Sequence, residues 1–323
     1  MILEEVRKNK LKTIAIIAFF ITFVTLCIYF LSLLIFDSVY IAVIFGLTFS
    51  IVSAFVSYYN SDKMILSVNN ARPATREENL QLNVTLETLC IATGLPKPKL
   101  YIMETDAMNA FATGRNPENS VICVTRGLLN NLDKYEMEGV LAHELSHIKN
   151  YDILVSTIAI VMVGFVTIIA DMASRSIFFR RTDSENNNSN AILMIIGLIF
   201  LILSPIFASL LQLAISRNRE YLADSSAVEI TRNKEGLINA LKKIDEQSKP
   251  MPEVNKATES LFISDPYKKK EKDSIWSTHP STANRIKKLE NIKLLMFHSI
   301  FTPYLLINKP KICYYTNGKK RYL

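Results

Sequence analysis

The sequence predicts a mainly α, α+β protein. A domain with a small β-sheet sits on a bundle of four membrane-crossing helices. Three observations predict this class. Four runs, 13–36, 40–59, 153–170 and 191–215, carry no charged residue. Each is about 18 residues or longer, enough to cross a hydrocarbon core of roughly 30 Å. Three short strand-like stretches fall between 99 and 125. One stretch, 138–150 (EGVLAHELSHIKN), has helical spacing and carries two histidines four apart.

At 323 residues and 49% hydrophobic content the chain can build one or two domains. What decides the class is that the apolar residues are clustered. Four such uncharged runs are hard to hide inside a soluble core. The net charge is +7, but the basic residues do not form an aromatic-interleaved patch, which argues against nucleic acid. They gather beside the ends of apolar runs: Arg7, Lys8, Lys10 and Lys12, then Lys63, Arg72 and Arg76, then Arg217 and Arg219. That distribution puts the N-terminus in the cytoplasm. The partner it implies is a lipid bilayer, with the chain a multi-pass protein of the cell membrane. Arg175, Arg180 and Arg181 run against an external loop between the third and fourth runs, so a shallow hairpin is the alternative there. Cys27, Cys90, Cys123 and Cys313 form no C-x-x-C pair, as expected of a reducing compartment without a disulfide framework.

In chain order, the first two runs make a membrane hairpin with a short turn at 37–39. A helix over 77–93 follows, ended by Gly94 and kept from resuming by Pro96 and Pro98. Strands are expected at 99–103, 108–112 and 120–125, the second of them at a sheet edge. Asp133 and Glu136 form a D-x-x-E capping signature in front of the 138–150 stretch. The stretch 216–247 is helical in pattern, 248–274 reads as a polar, solvated linker, and a last helix starts at Ser281.

The histidines of 138–150 belong to His143-Glu144-Leu145-Ser146-His147, an H-E-x-x-H pattern. Residues four apart share a helix face, so both imidazoles can point at one metal ion. Neutral imidazole suits zinc, which lowers the pKa of a bound water to about 7. Glu144 stands beside it as the base that takes the proton and passes it to a leaving amine. A catalytic zinc wants three protein ligands. His279 and His298 are the only other histidines, but Glu220 is the more persuasive third ligand. Two crossings separate His147 from Glu220, which returns both to one membrane face. Glu220 and Asp224 are four apart, so one can bind metal while the other accepts the spare N–H of a ligand histidine. His279 and Arg285 are candidates to meet the oxyanion of peptide hydrolysis. The main chain of Asn109, Ala110, Phe111 and Ala112 is a candidate to bind peptide by strand addition.

Five stretches appear in a set order: 109–114 (NAFATG), 138–147 (EGVLAHELSH), 150–152 (NYD), 219–224 (REYLAD) and 279–286 (HPSTANRI). With the paired spans, this resembles the HtpX-type membrane zinc metalloproteases, distant relatives of the CAAX prenyl endopeptidases. The likeness covers about 1–292 in layout. It implies a gluzincin-like site with His143, His147 and Glu220 as ligands to one Zn2+ per chain and Glu144 as catalytic base. It also implies polypeptide substrates at the cytoplasmic face and a role in membrane-protein quality control under stress. The corresponding division is 1–61, a membrane hairpin; 62–152, the first half of the peptidase domain; 153–215, a second hairpin; 216–293, the second half; and 294–323, a tail of unknown role. Two rival readings stay open at this point: a protease for lipidated peptides, and an inert zinc-binding membrane scaffold.

Overall fold

The computed structural model describes residues 2–35, 39–180, 217–247, 249–267, 280–292, 313–316 and 319–322. Two long helices open the chain, α1 (Ile2–Ile35) and α2 (Val39–Val68). Singly, among the described residues, only these two are long and apolar enough to cross a membrane, over Glu4–Leu26 and Val43–Val68. Their outer faces expose Ile14, Phe19 and Leu26 on α1 and Ile41, Ile44 and Phe55 on α2. An apolar surface of that extent suits lipid rather than water.

A two-residue strand, β1 (Arg72–Pro73), precedes α3 (Arg76–Thr93). Thr75 and Glu78 close a reciprocal capping box at the start of α3, and Gly94, with φ +70°, ends it where the sequence expects. Three strands follow: β2 (Lys99–Met103), β3 (Ala110–Gly114) and β4 (Ser120–Thr125). The first and third keep their expected bounds, and β3 begins two residues later than expected. The sheet order is β1-β2-β4-β3, with β2 and β4 parallel and the outer pairs antiparallel. β3 is thus an edge strand. Its Phe111, with Val121 and Cys123 of β4, packs on Ile65 and Leu66 of α2.

A short helix, α4 (Arg126–Asn131), leads to α5 (Lys134–Lys149). Asp133 caps α5, its side chain accepting from the Tyr135 and Glu136 amides while Glu136 returns to the Asp133 amide. The expected D-x-x-E cap is therefore present. α6 (Asp152–Arg180) leaves α5 at a 78° elbow, where Tyr151 takes φ +60°.

The third apolar run lies in α6, and among the described residues two candidate spans, or three with the bent pair, are found where four runs were expected. Leu154, Val155, Ile158, Ala159, Met162 and Val166 are buried against α1 and α2, and Ile160 and Val161 against the sheet side. The run is apolar because protein covers its first half. Only if α5 and α6 count as one bent span does it pass the length and composition required. The fourth run, 191–215, lies outside the described residues.

Two further expectations change. The helix expected over 216–247 is two, α7 (Arg217–Thr231) and α8 (Lys234–Gln247). They part at Arg232, φ +54°, and Asn233 Oδ1 accepts from the Gly236 amide to start α8. Gly139 of α5 lets α8 come close, since a Cβ there would stand 2.7 Å from the Leu237 nitrogen. The stretch expected as a solvated linker is instead docked over 249–267. Met251, Val254, Phe262 and Ile263 are buried, Phe262 edge-on to Phe111, and Thr258 donates to Asn69 at the end of α2. Its charged residues hid these apolar anchors. The last helix, α9 (Thr282–Glu290), forms as expected after Ser281. The tail beyond 292 is a separate unit containing an antiparallel pair, β5 (Cys313–Thr316) and β6 (Lys319–Tyr322).

Candidate active site

α5 is fixed by its cap at one end and its burial along the rest, so the four-residue spacing becomes a defined pair of imidazoles. His143 Nε2 and His147 Nε2 stand 3.2 Å apart. α7 brings Glu220 to the same point: its Oε2 lies 3.6 Å from His143 Nε2 and its Oε1 3.6 Å from His147 Nε2. Ligands about 2.1 Å from one ion at tetrahedral angles lie about 3.4 Å from each other. The imidazole pair, and each imidazole with one oxygen of Glu220, stand near that figure. Among the described residues, His143, His147 and Glu220 are the one group of His, Cys, Asp and Glu donors that converges in this way. The donor set therefore fits zinc, with a fourth position open.

Each imidazole is held from behind. His143 Nδ1 donates to Asp224 Oδ1 at 3.0 Å, one turn along α7 from Glu220. His147 Nδ1 donates to Asp152 Oδ2 at 3.1 Å, at the start of α6. These contacts fix the tautomers that leave both Nε2 lone pairs facing the common point. The electrostatics agree. Burial alone would lower the His143 pKa, but its hydrogen bonds to Asp224 and Glu220 outweigh burial and hold it up at about 9. A pocket that favours a proton there favours a cation.

Glu144 is 1% exposed, and burial pushes its carboxyl above the ordinary glutamate range against the pull of His143 and His147. A raised carboxyl is suited to carrying a proton near neutral pH. Glu144, His147 and Glu220 line one small cavity with Ala112, Ser260 and Leu261. Its volume, about 30 Å³, holds roughly two waters.

The other expected residues divide. Arg285 is brought to the site and buried, but its guanidinium forks onto Asp224 (2.9 and 2.7 Å) and donates to the Ile263 carbonyl at 2.6 Å. It grips the carboxylate behind His143 instead of facing the cleft. Burial raises the Asp224 carboxyl, and Arg285 with the His143 hydrogen bond overcomes this and holds it below the usual range. His279 and His298 lie outside the described residues. The expected peptide-binding strand is open only in part. Ile263 N–H donates to the Ala110 carbonyl at 2.9 Å, and Asn109 exchanges two hydrogen bonds with the Ser264 backbone. Phe111 is buried in the core. Ala112 alone of the four lines the cavity.

Sequence reasoning missed three site residues. Asp152 sits five residues past His147 in the quoted 150–152 triplet, and the sequence gives it no role in the site. Arg219 reaches Asp152 Oδ1 at 3.3 Å and Asn9 reaches it at 2.8 Å. Nothing in the local sequence around Asn9 signals this, because its partner is 143 residues away.

The fold and site define a class: a metallopeptidase built on an H-E-x-x-H helix, with a glutamate ligand from a later helix. Comparison with known proteins agrees. The model of peptidase family M48 matches residues 76–293. A "Protease HtpX homolog" from Listeria monocytogenes serotype 4a is 42% identical over 304 residues, covering 90% of this chain and all of that protein. The corresponding protein of Lactobacillus acidophilus is 42% identical over 299 residues with the same coverage. A solved structure, S. mikatae Ste24p, has a TM-score of 0.44 and 18% identity, covering 78% of this chain and 58% of its own. The chain belongs to peptidase family M48. It is a metallopeptidase of the HtpX type, as the motif order suggested.

Proposed function

We propose that the protein is a zinc endopeptidase of the cytoplasmic membrane, holding one Zn2+ on His143, His147 and Glu220 and working at the cytoplasmic face. Its substrates are misfolded or damaged membrane polypeptides. One observation carries this reading: ligand atoms of His143, His147 and Glu220 converge within 4.8 Å of one another beside a buried glutamate, and α6, which follows the motif helix, packs on the apolar hairpin of α1 and α2. The basic residues at the N-terminal end of α1 support a cytoplasmic position for that end.

Bound zinc supplies charge to polarise the scissile carbonyl and to acidify water. The chain does the rest. Asp224 and Asp152 hold the two imidazoles in the ligating tautomer. Glu144 accepts the proton of the attacking water and returns it to the leaving nitrogen, a transfer favoured by its raised pKa. Arg285 positions Asp224. Ala112, at the open end of the edge strand, offers its main chain to the substrate backbone, a contact with little sequence preference. Low selectivity suits a quality-control enzyme. His279 is kept as the oxyanion donor.

The test is Glu144→Gln in the full chain, purified in detergent and given casein. The variant should keep its zinc and lose about 10²–10⁴-fold in rate. Cleavage at the parent rate by the metal-loaded variant would remove this mechanism.

A further inference from the structure

Asn9 lies in α1, between Lys8 and Lys10, and is 1% exposed. Its Nδ2 donates to the Asn150 carbonyl at 2.9 Å and to Asp152 Oδ1 at 2.8 Å. Asp152 Oδ2 in turn accepts from His147 Nδ1. An amide in the first membrane helix is thereby two hydrogen bonds from a proposed metal ligand. It also ties down the Asn150 carbonyl, in the elbow between the ligand helix and α6.

The amide is there at a cost. Among the described residues its Oδ1 is buried without a hydrogen-bond partner, and a buried unsatisfied oxygen is unfavourable. A leucine would carry no such oxygen. What leucine cannot do is donate to two acceptors at once. A lysine could donate, but its charge would neutralise Asp152 and weaken the carboxylate's hold on the His147 N–H. An aspartate has the right shape and the wrong sign. Arg219 reaches Asp152 Oδ1 at 3.3 Å, a longer contact to that oxygen than the 2.8 Å bond from Asn9.

We propose that Asn9 is a positioning residue of the metal site: through Asp152 the first membrane helix sets the orientation of His147. This rests on His147 being a zinc ligand, the reading proposed above. Partners behind a ligating imidazole are worth about 10–100-fold in metal affinity.

The experiment is a chelator-competition titration of Zn2+ into the metal-free, detergent-purified full chain, with thermal unfolding of the same metal-free samples. Asn9→Leu should bind zinc about 10–100-fold more weakly, a loss larger than any change in its melting point accounts for. Asn9→Asp keeps the shape, loses the donor and adds a like charge, so it should also weaken zinc binding at least tenfold; it serves if the leucine variant fails to fold. A merely structural asparagine would lower the melting point and leave the zinc affinity alone. Affinities within twofold of the parent in the folded variants overturn the proposal. A parent that binds no zinc overturns the underlying metal-site reading instead, and the two failures are told apart by the parent's own titration.

Discussion

The two histidines of the H-E-x-x-H helix are held by the same device built from different parts of the molecule. His143 leans on Asp224 of α7, which Arg285 of α9 grips with a two-pronged fork. His147 leans on Asp152 of α6, gripped by the neutral amide of Asn9 from α1 and by Arg219 at longer range. The first half is an ion pair made within the peptidase helices, and the His143 side chain there is 1% exposed. The second is made by the membrane-side helices, and the His147 side chain is 14% exposed. The difference teaches that one metal site has two supports with two failure modes. The His143 side fails with the fold, since its charges are buried and mutually dependent. The His147 side fails with the packing of α1 on α6.

Glu220 belongs to both halves, and its removal tests whether they form one site at all. Glu220→Ala should abolish stoichiometric zinc and casein cleavage together, read by metal analysis and activity; retained affinity would separate the halves. Next in size is Arg285→Ala, which strands Asp224 in the interior. Loss of one partner of such a pair costs about 3–5 kcal/mol, so chemical denaturation should show it directly, with His143-side zinc affinity falling as well. Arg285→Lys should recover only part, because an ammonium lacks the planar fork. A full recovery would mean charge alone matters on this side.

The smallest effect sharpens the comparison from outside. Glu78 is held by Arg72 and Arg126, far along the sheet from the metal ligands. Its carboxyl sits well below the usual range, chiefly through the Arg72 hydrogen bond, which overcomes the opposing effect of burial. A lowered folded-state pKa stabilises above the unfolded value near 4.3 and loses that contribution as pH falls through the folded value. Glu78→Gln should therefore flatten the acid limb of the stability curve and leave zinc affinity untouched. A change in zinc affinity would show that the sheet network also supports the site.

Much of the site was legible because it is written in short periods. His143, Glu144 and His147 share one helix face, and Glu220 and Asp224 repeat that spacing, so four-residue arithmetic reaches the ligand set. The sheet was legible for a similar reason: β2 and β4 are short apolar runs between turn residues. What failed were inferences that needed to know the neighbours. Uncharged residues 153–166 look the same whether lipid or protein covers them, and here α1, α2 and the sheet do. In 249–267, single apolar anchors separated by lysines, prolines and acids leave no period to detect. The edge strand was found, but not that Ile263 already pairs with Ala110. Asn9 was beyond reach because one asparagine among lysines reads as a solvated helix end.

The 78° elbow at Asn150 and Tyr151 has a consequence for anyone who would make a soluble enzyme of this protein. Domain excision works where a linker separates what catalyses from what anchors. Here the last ligand of the motif helix, the elbow and the first residue of the next helix occupy 147–152, and the carboxylate behind His147 is that first residue. The stretch matching the family model begins at residue 76, so a fragment cut to it loses α1 and with it Asn9. A truncation that removes α1 therefore also removes the Asn9 bond to Asp152, the carboxylate behind His147.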